Sequence, residues 1–236
     1  IPAMNLSKSP RKTDELKKEI QELDSFPDSR YIEIIRDVGF ECDLCGKCCT
    51  TEFNDHVFLL DEDVRRIIET IGPEFIEPAP YYDFCDNLGR FSVMGFALRT
   101  KSGGNCIFYT NGRCEHYDIR PIVCKIYPYM LHKEDDNNGK IEWRQISGLD
   151  EHGLYHSDID DNTLKEILID VKKYELLFLN QKLNFSFAIK EHFQKNGLKH
   201  NQQIYDRKMR DIKKGKDGEV YVFFSGELKK EIISKQ

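Results

Sequence analysis

Cys42-Asp43-Leu44-Cys45-Gly46-Lys47-Cys48-Cys49 sets four thiols in eight residues. Such crowding costs stability and invites oxidation unless a soft cation sits among the sulfurs. Thiolates select zinc, copper(I) and iron–sulfur clusters over hard cations. Cys106, Cys114 and Cys124 form a second, looser group, and Cys85 lies between the two. Metal binding is the first inference, and any activity depends on it.

Cys42, Cys45 and Cys48 copy the C-x2-C-x2-C spacing of bacterial ferredoxins, which lets a loop curl three sulfurs onto one cluster face. Gly46 supplies the backbone freedom for that curl. The ferredoxin pattern places a fourth cysteine at position 52 and a proline after it, where this chain has Glu52 and Phe53. The fourth ligand therefore comes from elsewhere, with Cys49, Cys85, Cys106, Cys114 and Cys124 all open. Structural zinc sites often pair two C-x2-C arms. The second arm is missing here, which favours a cluster, of the 4Fe–4S type by spacing, over zinc. Adjacent residues on extended backbone point in opposite directions, so Cys48 and Cys49 are expected to serve different sites, or one is not a ligand. Disulfides fit poorly, because disulfide scaffolds are typically short secreted chains.

The remaining composition bounds the setting. A chain of 236 residues with 39% apolar and 32% charged residues reads as globular. A formal net charge of -6 argues against a general nucleic-acid binder. No apolar run approaches a membrane span, and no leader is evident, so a cytoplasmic protein away from membranes is expected. Met4, after Ile1-Pro2-Ala3, reads as the natural start.

The fold class expected is α+β: N-terminal helices over 1–38, a cysteine-rich metal domain over 39–150, and a mainly helical region over 151–236. Helices are expected over about 13–23, capped at Ser9-Pro10, and over 30–38. A strand at Val57 to Leu60 leads through Asp61 into a helix to Ile71, stopped by Gly72-Pro73. Phe91 to Leu98 reads as one strand and Cys106 to Tyr109 as another, closed by the Asn111-Gly112 turn. Met130 to Lys133 and Ile141 to Ile146 flank a turn at 135–139. Two helices, Asn162 to Asn180 and Phe185 to Lys195, precede Gly197. A polar helix at 202–213 and a strand at Val220 to Phe224 complete the order.

In combination, these residues resemble the CxxCxxCC family, whose domain is taken to chelate zinc or iron and whose members include the flagellin lysine N-methylases. The likeness is carried by Cys42 to Cys49, Cys106, Cys114 through Tyr117, and Arg120-Pro121-x-x-Cys124-x-x-Tyr127-Pro128. Lys125 departs from the family's usual arginine. Some relatives carry a cysteine near Ser147-Gly148, where this chain has none, and Cys85 is the substitute ligand considered. The resemblance implies a metalloprotein with an iron–sulfur cluster and, for the methylase branch, methyl transfer from S-adenosylmethionine to a protein substrate.

Arg120, Tyr117 and Tyr127 are the candidate catalytic side chains, each weighed against support and packing around the metal. His116 is a candidate ligand by imidazole-for-thiolate replacement. His152 and His156 read as surface histidines, and Asp158, Asp160 and Asp161 as helix caps. The competing functions are a zinc-stabilised interaction module and a carrier of metal or clusters.

Overall fold

The computed structural model describes residues 9–50, 55–135, 141–145 and 152–233, with side chains left out at 9–12, 132–135 and 141–145. Met4, Glu52, Phe53, the turn residues 136–139, Ile146 and Ser147-Gly148 lie outside the described residues. The fold is α+β, as expected. The chain divides into two compact units, each discontinuous in sequence: 1–19 with 58–99 and 179–236, and 20–57 with 100–178.

The first unit is built on two small sheets. One has the order β1-β5-β2, from Phe58–Leu59, Phe96–Leu98 and Ile76–Pro78, all antiparallel. The other has the order β11-β10-β4-β3, from Glu227–Ile233, Gly218–Phe224, Phe91–Val93 and Phe84–Cys85, with β10 parallel to β4. Phe84, Phe185, Ile189, Phe193 and Phe223 form its buried core. Each fully buried aromatic of this kind contributes roughly 1.5–3 kcal/mol.

The single strand expected over Phe91 to Leu98 is two strands in two sheets. The break falls at Met94-Gly95, where side chains replace the ladder. Met94 N–H donates to Asp83 Oδ2 at 3.1 Å, and Met94 C=O accepts from Gln181 Nε2 at 3.3 Å. A Cβ on Gly95 would meet Gln181 Nε2 at 2.9 Å and the Phe58 ring at 3.1 Å, so a side chain there would push away the Gln181 amide that holds the Met94 carbonyl. Gln181 also accepts from Asp61 N–H at 3.2 Å, satisfying one orphan donor at the start of α3 (Asp61–Thr70).

The two helices expected after Asn162 are one, α5 (Asp161–Lys195). Gln181 to Asn184 interrupts the apolar periodicity, but neither proline nor glycine occurs in the stretch, so the hydrogen-bond ladder continues. Asp160 caps it, accepting from the N–H groups of Asn162 and Thr163 at 2.9 and 3.2 Å. At the far end Gly197 turns at φ 61°, and Leu198 N–H donates to Phe193 C=O at 2.9 Å. Strand β11 was not expected. Ser225 and Gly226 take φ 51° and 85°, a two-residue hairpin turn, and its Lys and Glu residues suit a solvated edge.

The second unit holds α2 (Asp28–Val38), the cysteine run, the β6–β7 hairpin (Tyr109–Thr110 with Arg113–Cys114), α4 (Ile122–Ile126) and the β8–β9 hairpin (Leu131–Asp135 with Ile141–Gln145). Residues of α5 up to Phe178 belong here and those from Leu179 to the first unit. Tyr31, Ile35 and Val38 of α2 are buried, as are Leu164, Val171 and Tyr174 of α5. Glu175 accepts from Leu131 N–H at 2.7 Å. Among the described residues, no helix is long and apolar enough to cross a membrane.

Candidate metal centre

The cysteine run is fixed by main-chain bonds at both ends. Before it, Glu41 and Leu154 exchange N–H···O bonds of 2.8 and 2.9 Å, and Ser157 N–H donates to Gly39 C=O at 2.9 Å. Phe40 lies edge-on to Tyr127 and Tyr155, and Tyr127 stacks on His152 at 5.3 Å. His152 is therefore buried rather than on the surface. Tyr127 belongs to this aromatic packing behind the run. After the run, Cys106 N–H donates to Cys49 C=O at 2.9 Å. The strand expected from Cys106 to Tyr109 is not formed: Cys106 makes an isolated bridge to Thr100, and β6 starts only at Tyr109.

Two left-handed residues curl the loop, Leu44 at φ 60° and Gly46 at φ 70°. For leucine that conformation costs about 1–2 kcal/mol. Asp43 Oδ1 accepts from Cys45 N–H at 3.1 Å. Lys47–Cys49 then form a 3-10 turn, with Cys49 N–H donating to Gly46 C=O at 2.9 Å. The vicinal pair thus stands on a helical turn, not on extended backbone, and both sulfur-bearing residues line one cleft.

That cleft, about 510 Å³, is lined by Cys42, Cys48, Cys49 and Cys114 together with Leu44, Gly46, Thr110, Asn111, Arg113, Glu115, His116 and Tyr117. The Asn111-Gly112 turn, at φ 50° and 82°, folds the hairpin that brings Cys114 there. Cys114 interacts electrostatically with Cys48, as does Cys106, and Cys45 feels Cys48 as well. Cys124 stands on α4 in the same unit. Cys85 is in the other unit, fully buried on β3, with its Sγ 3.7 Å from the Asp86 carbonyl. None of the eight cysteines is in a disulfide. Sequence reasoning missed Asn111 and Arg113 as cleft residues; the hairpin turn was the signal that could have found them. His116 is on the cleft wall, its ring 4.7 Å from that of Phe108.

Cys45, Cys48, Cys106 and Cys114 resist ionisation. A hydrogen bond with Cys49, then burial, pushes Cys48 far above the usual thiol value. Burial pushes Cys106 up to about 11, and burial also raises Cys114 and Cys45. Arg120 opposes the rise at Cys48 and Cys114. A bound cation inverts this balance, since coordinated thiols lose their protons. In donor type and location the residues fit a soft metal. Among the described residues, no three Cys, His, Asp or Glu side chains yet converge on one centre; rotation about χ1 relocates a sulfur without moving the backbone.

No curated protein and no solved structure matches the chain. Residues 41–146 match the family model CxxCxxCC, described as "Putative zinc- or iron-chelating domain". The span begins just before the curled cysteine run and includes the hairpin and α4, so every cysteine of both groups falls within it. The match spans rather less than half of the chain, and over that stretch the chain is similar to a family whose domain is described as a chelator of zinc or iron.

Proposed function

We propose that the second unit holds an iron–sulfur cluster through cysteines of both groups. The observation that carries this reading is the shared cleft, which Cys42, Cys48 and Cys49 from the run line together with Cys114 from the hairpin. The C-x2-C-x2-C spacing supports cluster ligation. A bound cluster would supply redox-active, Lewis-acidic iron. The chain's own residues gather the sulfurs, shield Cys106 from water and set the positive Arg120 near Cys48 and Cys114. Cys85 takes no part in this reading, because it is fully buried on β3 with its Sγ turned to the Asp86 carbonyl. Methyl transfer from S-adenosylmethionine to a protein substrate remains what the resemblance implies; the function proposed is cluster binding in the cytoplasm.

Anaerobic purification followed by iron, zinc and acid-labile sulfide analysis tests it. The expected result is a brown protein with iron and sulfide in comparable amounts. Colourless protein with stoichiometric zinc and no sulfide would replace the cluster by the zinc-stabilised module, and ready surrender of the metal to an apo acceptor would mark a carrier.

A further inference from the structure

The cysteine cleft is roomier than a site that only holds a metal for structure. Structural sites close around their ion, whereas pockets for small molecules measure roughly 300–1,000 Å³, and this cleft measures about 510 Å³. Beyond the sulfurs its lining includes Leu44 from the cysteine run and Thr110, Asn111 and Arg113 from the tip of the β6–β7 hairpin.

The fold makes little use of two of these side chains. Leu44 takes φ 60° and is 54% exposed. Its left-handed conformation suits glycine, asparagine and aspartate, and Gly46, the other left-handed residue of the run, is of that kind. Asp43 enforces the turn by accepting from Cys45 N–H at 3.1 Å, spanning Leu44. The leucine thus carries backbone strain without the burial that would offset it. Strain of this sort collects at ligand-binding sites. Arg113 is exposed, and among the described residues it forms no ion pair, even with Glu115 on the same lining. An apolar side chain and an unneutralised guanidinium therefore share one cavity. The guanidinium fork matches a carboxylate or phosphate through two parallel hydrogen bonds, and the leucine matches hydrocarbon.

We propose that the cysteine cleft binds a small organic anion, with its carboxylate or phosphate head on Arg113 and its hydrocarbon body against Leu44. The proposal deepens, and for the ligand's place beside the thiols rests on, the reading of the cleft as a metal centre.

Hexanoate, hexyl phosphate, acetate and hexanol are titrated by calorimetry into the full chain loaded anaerobically with cobalt(II), while the cobalt absorption is followed. Hexanoate or hexyl phosphate should bind about tenfold tighter than acetate and hexanol, the worth of roughly two buried methylenes, and the tighter of the two names the head group. Saturation should shift the cobalt bands. Arg113→Gln should weaken both six-carbon anions about tenfold, as loss of a charged hydrogen bond does, and leave hexanol unchanged. Leu44→Asn, a residue suited to the left-handed turn, should weaken them about tenfold and leave acetate unchanged, with a urea midpoint no lower than that of wild type. Binding of the six-carbon anions no tighter than acetate or hexanol would overturn the proposal. So would a Leu44→Asn protein that binds them normally, or one whose lowered midpoint shows the leucine to be structural. Failure of wild type to take up cobalt would instead overturn the metal reading, and the same titrations on the metal-free chain would then decide the anion site.

Discussion

Gly46 joins the curl of the cysteine run to the hairpin that carries Cys114, and replacing it by alanine should break both. Its φ of 70° is left-handed, costing an alanine about 1–2 kcal/mol. A Cβ there would also lie 2.7 Å from the Gly112 carbonyl oxygen, with the Tyr109 ring closer still. Overpacking of this kind costs about 1–3 kcal/mol. Because the oxygen is main chain, relief requires the hairpin to move away, taking Cys114 from Cys48. Gly46→Ala should therefore destabilise the second unit by about 2–5 kcal/mol and lower its metal content. Two variants divide the effect. At Gly112 φ is 82° but a Cβ meets no atom within 4 Å, so Gly112→Ala should show the conformational cost alone. At Gly103 a Cβ meets nothing within 4 Å and φ is not left-handed, so Gly103→Ala should be nearly neutral. Urea unfolding in the presence of a chelator, followed by the emission of Trp143, the single tryptophan and a residue of that unit, reads the series without metal. Metal analysis of the untreated proteins reads the second consequence. Equal midpoints for Gly46→Ala and Gly112→Ala would refute the clash, and a Gly46→Ala protein as stable as Gly103→Ala would refute the whole account.

Burial raises the Asp83 carboxyl from 3.8 to about 6. The folded state then holds a proton the unfolded state has lost, so this contribution is fully present below about pH 4 and is lost as pH rises through 6. Asp83→Asn keeps an acceptor for Met94 N–H and should flatten that fall, with a gain at pH 7 of at most about 3 kcal/mol, reduced because Asp83 retains some contact with water; denaturant midpoints at pH 4 and 7 measure it, and parallel curves for the two proteins would contradict it. Cys48→Ser should abolish metal binding whereas Cys85→Ser should leave metal per chain unchanged, which metal analysis of the two purified variants decides; loss of metal from Cys85→Ser would return Cys85 to the ligand set. Phe185→Ala empties the centre of the first unit's aromatic core, where Phe185 is fully buried, and should cost about 3–5 kcal/mol, visible as a lowered midpoint in calorimetry, with an unchanged midpoint as the contrary result.

Local chemistry makes much of the molecule legible from residue order. Proline and glycine punctuation locates α1 (Ser9–Asp24), α2, α3 and α6 (Gln202–Lys213), because caps and breakers act within a few residues. Asn111-Gly112 announces its hairpin for the same reason, and the run from Cys42 to Cys49 announces a soft-metal site through the softness of sulfur alone. Periodicity misleads where a distant partner outweighs it. Gln181 and Asp83 bind Met94 and divide one apparent strand between two sheets. A polar patch that reads as a helix break does not interrupt α5, since side-chain polarity leaves main-chain hydrogen bonds intact.

Residue order by itself determined where the thiols crowd and that residues 41–146 are similar to the CxxCxxCC family. Only tertiary structure decided which sulfurs face a common cleft, that Cys48 and Cys49 share a helical turn, and that Cys85 belongs to the other compact unit. The reason is that ligand sets form between residues tens of positions apart, and their meeting depends on which main-chain groups remain to be paired and which side chains bury together, neither of which spacing records.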